Sequence, residues 1–135
     1  MIQFYFLSIL FNAIAGYALA LDPDARPSAL DGLKSILLDE TFRLVLGVMT
    51  VATGFFKLLS SVRGDIPVVG DLYPSVAGLA AGFALIFEFY RTRTALASEV
   101  SARLELVFVK NRKWIGYAAL VAGVTHFLFP TVLFL

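Results

Sequence analysis

Four long apolar runs divide the chain. They are residues 2–21 with no charge, 44–62 with only Lys57, 74–90 with only Glu88, and 114–135 with none. Each run is close to the ~20 residues that an α-helix needs to cross a ~30 Å hydrocarbon core. A backbone in lipid must satisfy its own polar groups, so such runs favour helices. The predicted transmembrane helices are residues 2–21, 43–62, 74–90 and 114–135.

Composition supports a protein that lives in a bilayer. Of 135 residues, 59% are hydrophobic, against about 45–50% in soluble globular domains. The first run resembles a secretory leader at Ala18–Ala20, but no basic residue precedes it and its apolar part exceeds the ~7–15 residues of a leader. We therefore expect one integral membrane domain, residues 1–135, which keeps its first helix.

The basic residues are unevenly divided among the loops. Nine of the eleven lie in or beside the segments 22–43 and 91–113. Arg63 is the one basic residue in the loop between the second and third predicted helices. Cytoplasmic loops carry an excess of lysine and arginine. This bias predicts that both chain ends lie outside the cytoplasm, and we expect a bacterial inner membrane.

Both basic loops contain a short amphipathic segment, over residues 28–38 and 94–109. In the first, Leu33, Ile36 and Leu37 share one helical face. Such segments are typical of helices lying at the cytoplasmic membrane interface. Whether they only cap the bundle or dock a partner stays open.

The two halves of the chain resemble each other. "RLVLGVMTVATGFFKLL" from residue 43 aligns with "RKWIGYAALVAGVTHFL" from residue 112, and "AGYAL" from residue 15 aligns with "AGFAL" from residue 81. The alignment equates Lys57 with His126, and it indicates a parallel repeat. The predicted fold is all-α: a four-transmembrane-helix bundle with a parallel internal two-helix repeat and two short cytoplasmic amphipathic helices.

Lys57 and His126 are the candidate ligand-binding residues. Each lies on a helical stripe of small residues, which lets membrane helices approach closely. A lysine donor and an imidazole with an unperturbed pKa near 6.5, flanked by phenylalanines at 55, 56, 127 and 129, would suit a quinone head group. The full predicted set is Lys57, His126, Gly54, Gly123 and Thr53.

The alternative for these two residues is structural. Lys57 stands near a helix end, where its side chain could snorkel to the interface or pair with Asp65 or Asp71 of the outer loop. His126 could be a hydrogen-bonded core residue, and Pro130 leaves its carbonyl without the usual helical donor. The other polar residues expected to have structural roles are Arg43, Arg112, Glu88 and Asn12, with Glu88 paired to the neighbouring Arg91 and Arg93.

Several classes of site are missing from the sequence. There is no cysteine, so disulfides, thiolate metal sites and covalent haem attachment are excluded. There is also no second histidine for haem ligation, no His/Glu metal cluster, no nucleophile elbow and no phosphate loop. We expect no haem, no metal, no nucleic-acid partner and no catalysis by this chain alone.

The stretches "RLVLGVMTVATGFFKLL" and "AGVTHFLFP" resemble the DoxX/DoxD-type family of small membrane proteins, in which an arginine opens a helix with two spaced glycines and then a lysine or histidine. The resemblance implies a four-helix membrane subunit associated with quinone-linked oxidation of reduced sulfur or with oxidative-stress complexes. It would give functional roles to Arg43, Gly47, Gly54, Lys57 and His126.

The expected function is a noncatalytic subunit or anchor of a redox complex that binds a quinone-like ligand between the helices 43–62 and 114–135. One alternative is a small transporter or channel formed by oligomerisation, and another is a scaffold that docks a soluble protein. The expected partners are the lipid bilayer and either a protein partner or further copies of the chain.

Overall fold

The computed structural model describes residues 2–22, 24, 29–59, 72–94 and 99–129. Within these residues every regular element is a helix, which confirms the all-α class. The elements in chain order are α1 (Ile2–Ala20), α2 (Asp31–Leu38), α3 (Glu40–Leu59), α4 (Leu72–Arg93), α5 (Glu99–Leu104), which continues as a π-helical segment (Glu105–Val109), and α6 (Arg112–Leu128).

Three helices are long and apolar enough to cross a membrane, over Gln3–Ala20, Glu40–Leu59 and Leu72–Arg93. The predicted fourth span is not among them, because α6 has 17 residues between Arg112 and Leu128. The last six residues of that predicted span, 130–135, lie outside the described residues, as do 60–62 of the predicted second span.

The long helices pack in two closely matched pairs. α1 packs most extensively on α6, and α3 packs most extensively on α4. α1 also contacts α3 and α4, and α4 also contacts α6. α3 and α6 therefore each pack against both α1 and α4.

Each of these helix pairs closes on two glycines. A Cβ atom on Gly16 would lie 2.6 Å from the carbonyl oxygen of Gly116, and one on Gly116 would lie 2.7 Å from that of Gly16. Between α3 and α4, the corresponding distances are 2.9 Å from Gly47 to Gly82 and 2.7 Å from Gly82 to Gly47. Such small residues let two helix backbones approach each other directly.

The short helices place their apolar residues at the edge of the molecule. In α2, Leu37 packs into the core, whereas Leu33 and Ile36 are exposed. In the second segment, Val100 and Val107 are exposed, and its helix begins at Glu99 within the described residues. Part of each predicted apolar face is thus left uncovered by the rest of the chain.

Candidate functional site

Lys57 lies in the last turn of α3 and points into the protein. Only 1% of its surface is exposed, and it shares its buried stripe with Gly47, Thr50 and Gly54. The neighbouring Phe55 is exposed. This burial contradicts the snorkelling alternative, because a snorkelling lysine extends to the surface. The alternative pairing with an outer-loop aspartate falls outside the described residues.

His126 occupies the equivalent place in the last turn of α6, and its side chain is fully buried. Its ring packs against the ring of Tyr5 on α1, with the centroids 4.7 Å apart. The Tyr5 hydroxyl donates a hydrogen bond of 2.9 Å to the His126 carbonyl oxygen. Pro130 has no N–H group to donate to this carbonyl, and the Tyr5 hydroxyl provides the hydrogen bond instead.

Tyr5 also connects His126 to Lys57. The Lys57 Nζ atom lies 5.4 Å from the centroid of the Tyr5 ring, which is within the ~6 Å range of cation–π attraction. Both ionisable residues therefore lie beside the same residue of α1. Sequence reasoning missed Tyr5, although a tyrosine combines an aromatic face with a polar tip in the way such a site requires.

A second group of buried polar residues follows α1 and α4. Asn12 Nδ2 donates to the Pro74 carbonyl oxygen at 3.0 Å and to Ser8 Oγ at 3.4 Å. Ser75 is completely buried, and its Oγ has no hydrogen-bond partner within the part of the chain that the structure describes. Asn12, predicted to be structural, thus joins two helices by a side-chain hydrogen bond.

The remaining predicted ligand-binding residues lie at helix contacts. Thr53 and Gly54 are buried. A Cβ atom on Gly54 would lie 3.0 Å from the Ser75 carbonyl oxygen, and one on Gly123 would lie 3.2 Å from that of Ile9. These two glycines therefore admit a neighbouring backbone, and their surfaces are already occupied by protein.

The prediction that four phenylalanines flank the ligand site is wrong. Side chains flanking the two ionisable residues are exposed on the outside of the molecule: Phe55, Phe56, Phe127 and Phe129. Successive helical residues are rotated by about 100°, so a residue next to a buried position points away from it. The aromatic partner of the site is Tyr5 instead.

Arg43, Glu88 and Arg112 form a separate cluster at the opposite ends of the helices. Arg43 forms an ion pair with Glu88, and the Arg112 Nε atom lies 3.4 Å from the other carboxylate oxygen of Glu88. Arg112 also donates to the carbonyl oxygens of Leu19 and Leu21, each at 3.2 Å. Two arginines that the predicted repeat equates thus form ion pairs with one carboxylate.

The predicted pairing of Glu88 with its sequence neighbours is wrong. Arg91 instead bonds to Glu105 at 2.6 Å, and Arg93 bonds to Glu40 at 3.3 Å. Both of these pairs are substantially exposed, whereas the Glu88 cluster is largely buried. A buried carboxylate needs compensating charge close by, and the arginines that supply it come from two other helices.

A search of the described residues finds no group of three histidine, cysteine, aspartate or glutamate side chains that could hold a metal ion. Lys57, His126 and Tyr5 instead combine a cation, an imidazole and a phenol ring. Lysine brings hydrogen-bond donors, and neutral imidazole brings one donor and one acceptor. This set suits the recognition of an oxygen acceptor on an otherwise apolar molecule.

Comparison with known proteins places the chain in a family. A protein-family model whose description names no activity matches residues 1–126. The chain is 34% identical to an uncharacterized protein of Treponema pallidum (strain Nichols) over 135 residues, which cover the whole length of both. No solved structure matches it. Neither finding points to a DoxX-type protein, so that resemblance is wrong. The chain belongs to the family that this model describes, and it is in the same family as the Treponema pallidum protein.

Proposed function

We propose that this protein is a noncatalytic integral membrane protein that binds a quinone-like lipophilic molecule at Lys57, His126 and Tyr5. The observation that carries the proposal is the burial of two ionisable side chains against one tyrosine ring. Ionisable residues within transmembrane segments are rare and almost always face the bundle interior or a water-filled cavity. A functional role is the default interpretation of such a residue.

The membrane part of the proposal includes α6 as a fourth span. Its 17 residues rise about 26 Å at 1.5 Å per residue, close to the ~30 Å hydrocarbon thickness. Its outward-facing residues are mostly large and apolar, including Trp114, Tyr117, Val121 and Val124. Such a surface is typical of lipid contact rather than water contact.

The proposed architecture is a parallel duplication, in which α1 and α3 correspond to α4 and α6. The two glycine contacts support it, because exchanging the halves turns Gly16–Gly116 into Gly82–Gly47. The same exchange turns the α1–α6 packing into the α4–α3 packing. Lys57 and His126 are then equivalent positions that have acquired different chemistry.

The orientation follows from charge. With α2 and α5 on the cytoplasmic side, most of the arginines and lysines face the cytoplasm, as the positive-inside rule requires. Both chain ends and the Lys57 site then lie toward the outer surface of a bacterial inner membrane. The chain has no cysteine, so single cysteines introduced at Ser35 or at Asp65 can be labelled without background. Labelling of the Ser35 position from outside intact cells would indicate the opposite orientation.

The ligand chemistry follows from the three side chains. The Lys57 ammonium can donate to a carbonyl oxygen of the ligand, and the His126 imidazole can donate or accept near neutral pH. Tyr5 offers an aromatic face on which a flat ring can stack. Because Lys57 and His126 both lie in the last turns of their helices, a head group held there leaves its tail free to extend into the lipid.

Binding is tested with purified protein in lipid nanodiscs and a short-chain quinone such as decylubiquinone. We expect the quinone to raise the melting temperature, and we expect Lys57→Met and His126→Leu to remove the increase. Phe55→Leu is the matched control, because Phe55 is exposed two residues from Lys57, and it should respond like the unmodified protein. Equilibrium dialysis on folded Lys57→Arg, which keeps the cation, covers the case in which Lys57→Met does not fold. The absence of binding at saturating quinone in the unmodified protein would refute the proposal.

The redox-complex role expected from the sequence rested on the DoxX-type resemblance and is not part of the proposal. The exposed Leu33 and Ile36 on α2 favour a second candidate, the docking of a protein partner at the cytoplasmic interface. Leu33→Glu with Ile36→Glu should release such a partner from affinity-purified membranes. Unchanged co-purification would indicate that these side chains contact the lipid interface and not a protein partner. An oligomeric transporter would instead require assembly of copies, which cross-linking in native membranes would detect.

A further inference from the structure

The cluster of Arg43, Glu88 and Arg112 lies beside a cavity of about 310 Å³. The arginines come from the first turns of α3 and α6, and Glu88 comes from the last part of α4. Their side chains are largely buried. Three helices therefore deliver charged groups to one cavity, far along the helices from Lys57 and His126.

The charges at this cavity do not cancel. Arg91 and Glu40 also line it but are paired with Glu105 and Arg93. The largely buried lining groups are Arg43, Arg112 and Glu88, which leaves one positive charge in excess. Glu88 is shared between two arginines. The excess charge is therefore associated with groups that are largely withdrawn from water, and this favours binding of an anion with a single negative charge.

The arginines also retain hydrogen-bonding capacity. A guanidinium carries five N–H donors. Arg43 uses one nitrogen on Glu88, and its buried Nε has no hydrogen-bond acceptor in the described part of the chain. Guanidinium groups match the geometry of phosphate oxygens, to which they donate two parallel hydrogen bonds. The chemistry of the cavity therefore favours a phosphate group over an uncharged polar ligand.

The rest of the cavity wall is apolar. It includes Leu38, Leu85, Phe89 and Val109. Inorganic phosphate gains nothing from such walls, whereas the glycerol and acyl parts of a phospholipid can contact them. The phosphodiester of a phospholipid also carries one negative charge, which equals the excess in the cavity. Basic pockets between membrane helices on the cytoplasmic side are known to bind lipid head groups.

We propose that this cavity binds the phosphate group of an anionic phospholipid from the cytoplasmic leaflet, with Arg43 and Arg112 as the phosphate-binding residues. Glu88 holds the two guanidinium groups in place and competes with the lipid for them. If the cluster were purely structural, loss of the Glu88 carboxylate would only leave the arginines unpaired and would not strengthen lipid binding. Glu88→Gln therefore separates the two roles.

The test measures binding of dioleoyl phosphatidylglycerol to the full-length protein in detergent, by native mass spectrometry and by thermal shift. Zwitterionic phosphatidylcholine and inorganic phosphate are the comparison probes. We expect Arg43→Gln and Arg112→Gln each to weaken phosphatidylglycerol binding about tenfold, as the loss of one charge-assisted hydrogen bond implies. We expect Glu88→Gln to strengthen it severalfold, even if the variant melts at a lower temperature.

The matched control is Arg103→Gln. Arg103 lies in α5, is highly exposed and pairs with Glu99, and it does not line this cavity. It should bind phosphatidylglycerol like the unmodified protein. Equal binding by the Arg43, Arg112 and Arg103 variants would overturn the site, as would weaker lipid binding by folded Glu88→Gln. Inorganic phosphate that binds as tightly as phosphatidylglycerol would overturn the lipid assignment.

Discussion

Replacing the glycines at the helix contacts by alanine is a direct test of the packing. The four positions are Gly16, Gly116, Gly47 and Gly82. At Gly16 the added methyl group would lie 2.6 Å from a backbone oxygen of α6, where an ordinary contact begins at 3.4 Å. The helices would therefore have to separate by about 0.8 Å along that contact. Backbone atoms cannot rotate away as the end of a flexible side chain can.

The expected magnitude is the difference between two effects. Alanine is more favourable than glycine inside a helix by about 1 kcal/mol. Overpacking of a well-packed interior costs typically about 1–3 kcal/mol, and a clash with backbone on both sides belongs at the upper end of that range. We therefore expect Gly16→Ala to lower the free energy of unfolding by about 2 kcal/mol. Gly82→Ala, whose methyl group would lie 2.7 Å from the Gly47 carbonyl oxygen, should lose about as much.

The same substitution at Gly32 is the control. Nothing lies within 4 Å of a Cβ atom placed there on α2, so only the helix preference of alanine acts and Gly32→Ala should be neutral or slightly stabilising. The assay is SDS-induced unfolding in mixed micelles, followed by protease susceptibility. If Gly16→Ala and Gly82→Ala were as stable as the unmodified protein, the close approach of these helices would be refuted.

Double variants add a test of which helices are in contact. Gly16→Ala with Gly116→Ala falls on one contact, so the second methyl group enters a gap that the first has already opened, and the combined loss should be less than the sum. Gly16→Ala with Gly47→Ala falls on two separate contacts, and those losses should add. Equal coupling in both double variants would contradict the α1–α6 and α3–α4 pairing.

Three further substitutions test polar contacts of the described residues. Tyr5→Phe removes the hydrogen bond to His126 but keeps the ring beside Lys57, and it should cost about 1 kcal/mol in the same SDS assay; a cost of zero would mean that the hydroxyl is not bonded. Asn12→Leu loses the bond to Pro74 and should cost about 0.6 kcal/mol, the average for interhelical hydrogen bonds in a membrane protein, and at most about 1.7 kcal/mol. The pKa of Asp22 is lowered by the backbone N–H of Asp24 and then by Lys113, so the ionised carboxylate stabilises the fold at neutral pH and this contribution is lost as the pH falls through the lowered pKa. Asp22→Asn should accordingly melt slightly below the unmodified protein at neutral pH and equally at strongly acidic pH, and a difference that grew on acidification would contradict the assignment.

The sequence predicted which face of each helix is buried, but not which helix covers it. The stripe containing Gly47, Gly54 and Lys57 was readable because its small residues recur every three or four positions. That periodicity defines one side of a cylinder and carries no information about its neighbour. The contacts of Gly47 with Gly82 and of Gly54 with Ser75 required the three-dimensional arrangement.

The candidate site was only half readable for the same reason. Lys57 and His126 stood out as ionisable residues in apolar runs, yet the residue that joins them, Tyr5, is separated from His126 by more than a hundred positions. The phenylalanines next to them in sequence were given the aromatic role instead. Glu88 was similarly assigned to neighbouring arginines, whereas burial selected Arg43 and Arg112 from other helices.

The proposed duplication is preserved in the apolar packing and altered at the polar positions. The glycine contacts agree between the halves to within a few tenths of an ångström. In contrast, Arg43 binds the carboxylate of Glu88, while Arg112 also binds the carbonyl groups of Leu19 and Leu21 at the end of α1. Lysine in one half likewise corresponds to histidine in the other. Two identical halves would form two identical sites related by the symmetry axis, whereas these differences create one cavity with excess positive charge and one buried site with mixed donors. Lys57 and His126 thus differ in residue type between the halves, whereas Arg43 and Arg112 differ only in the groups that they bind.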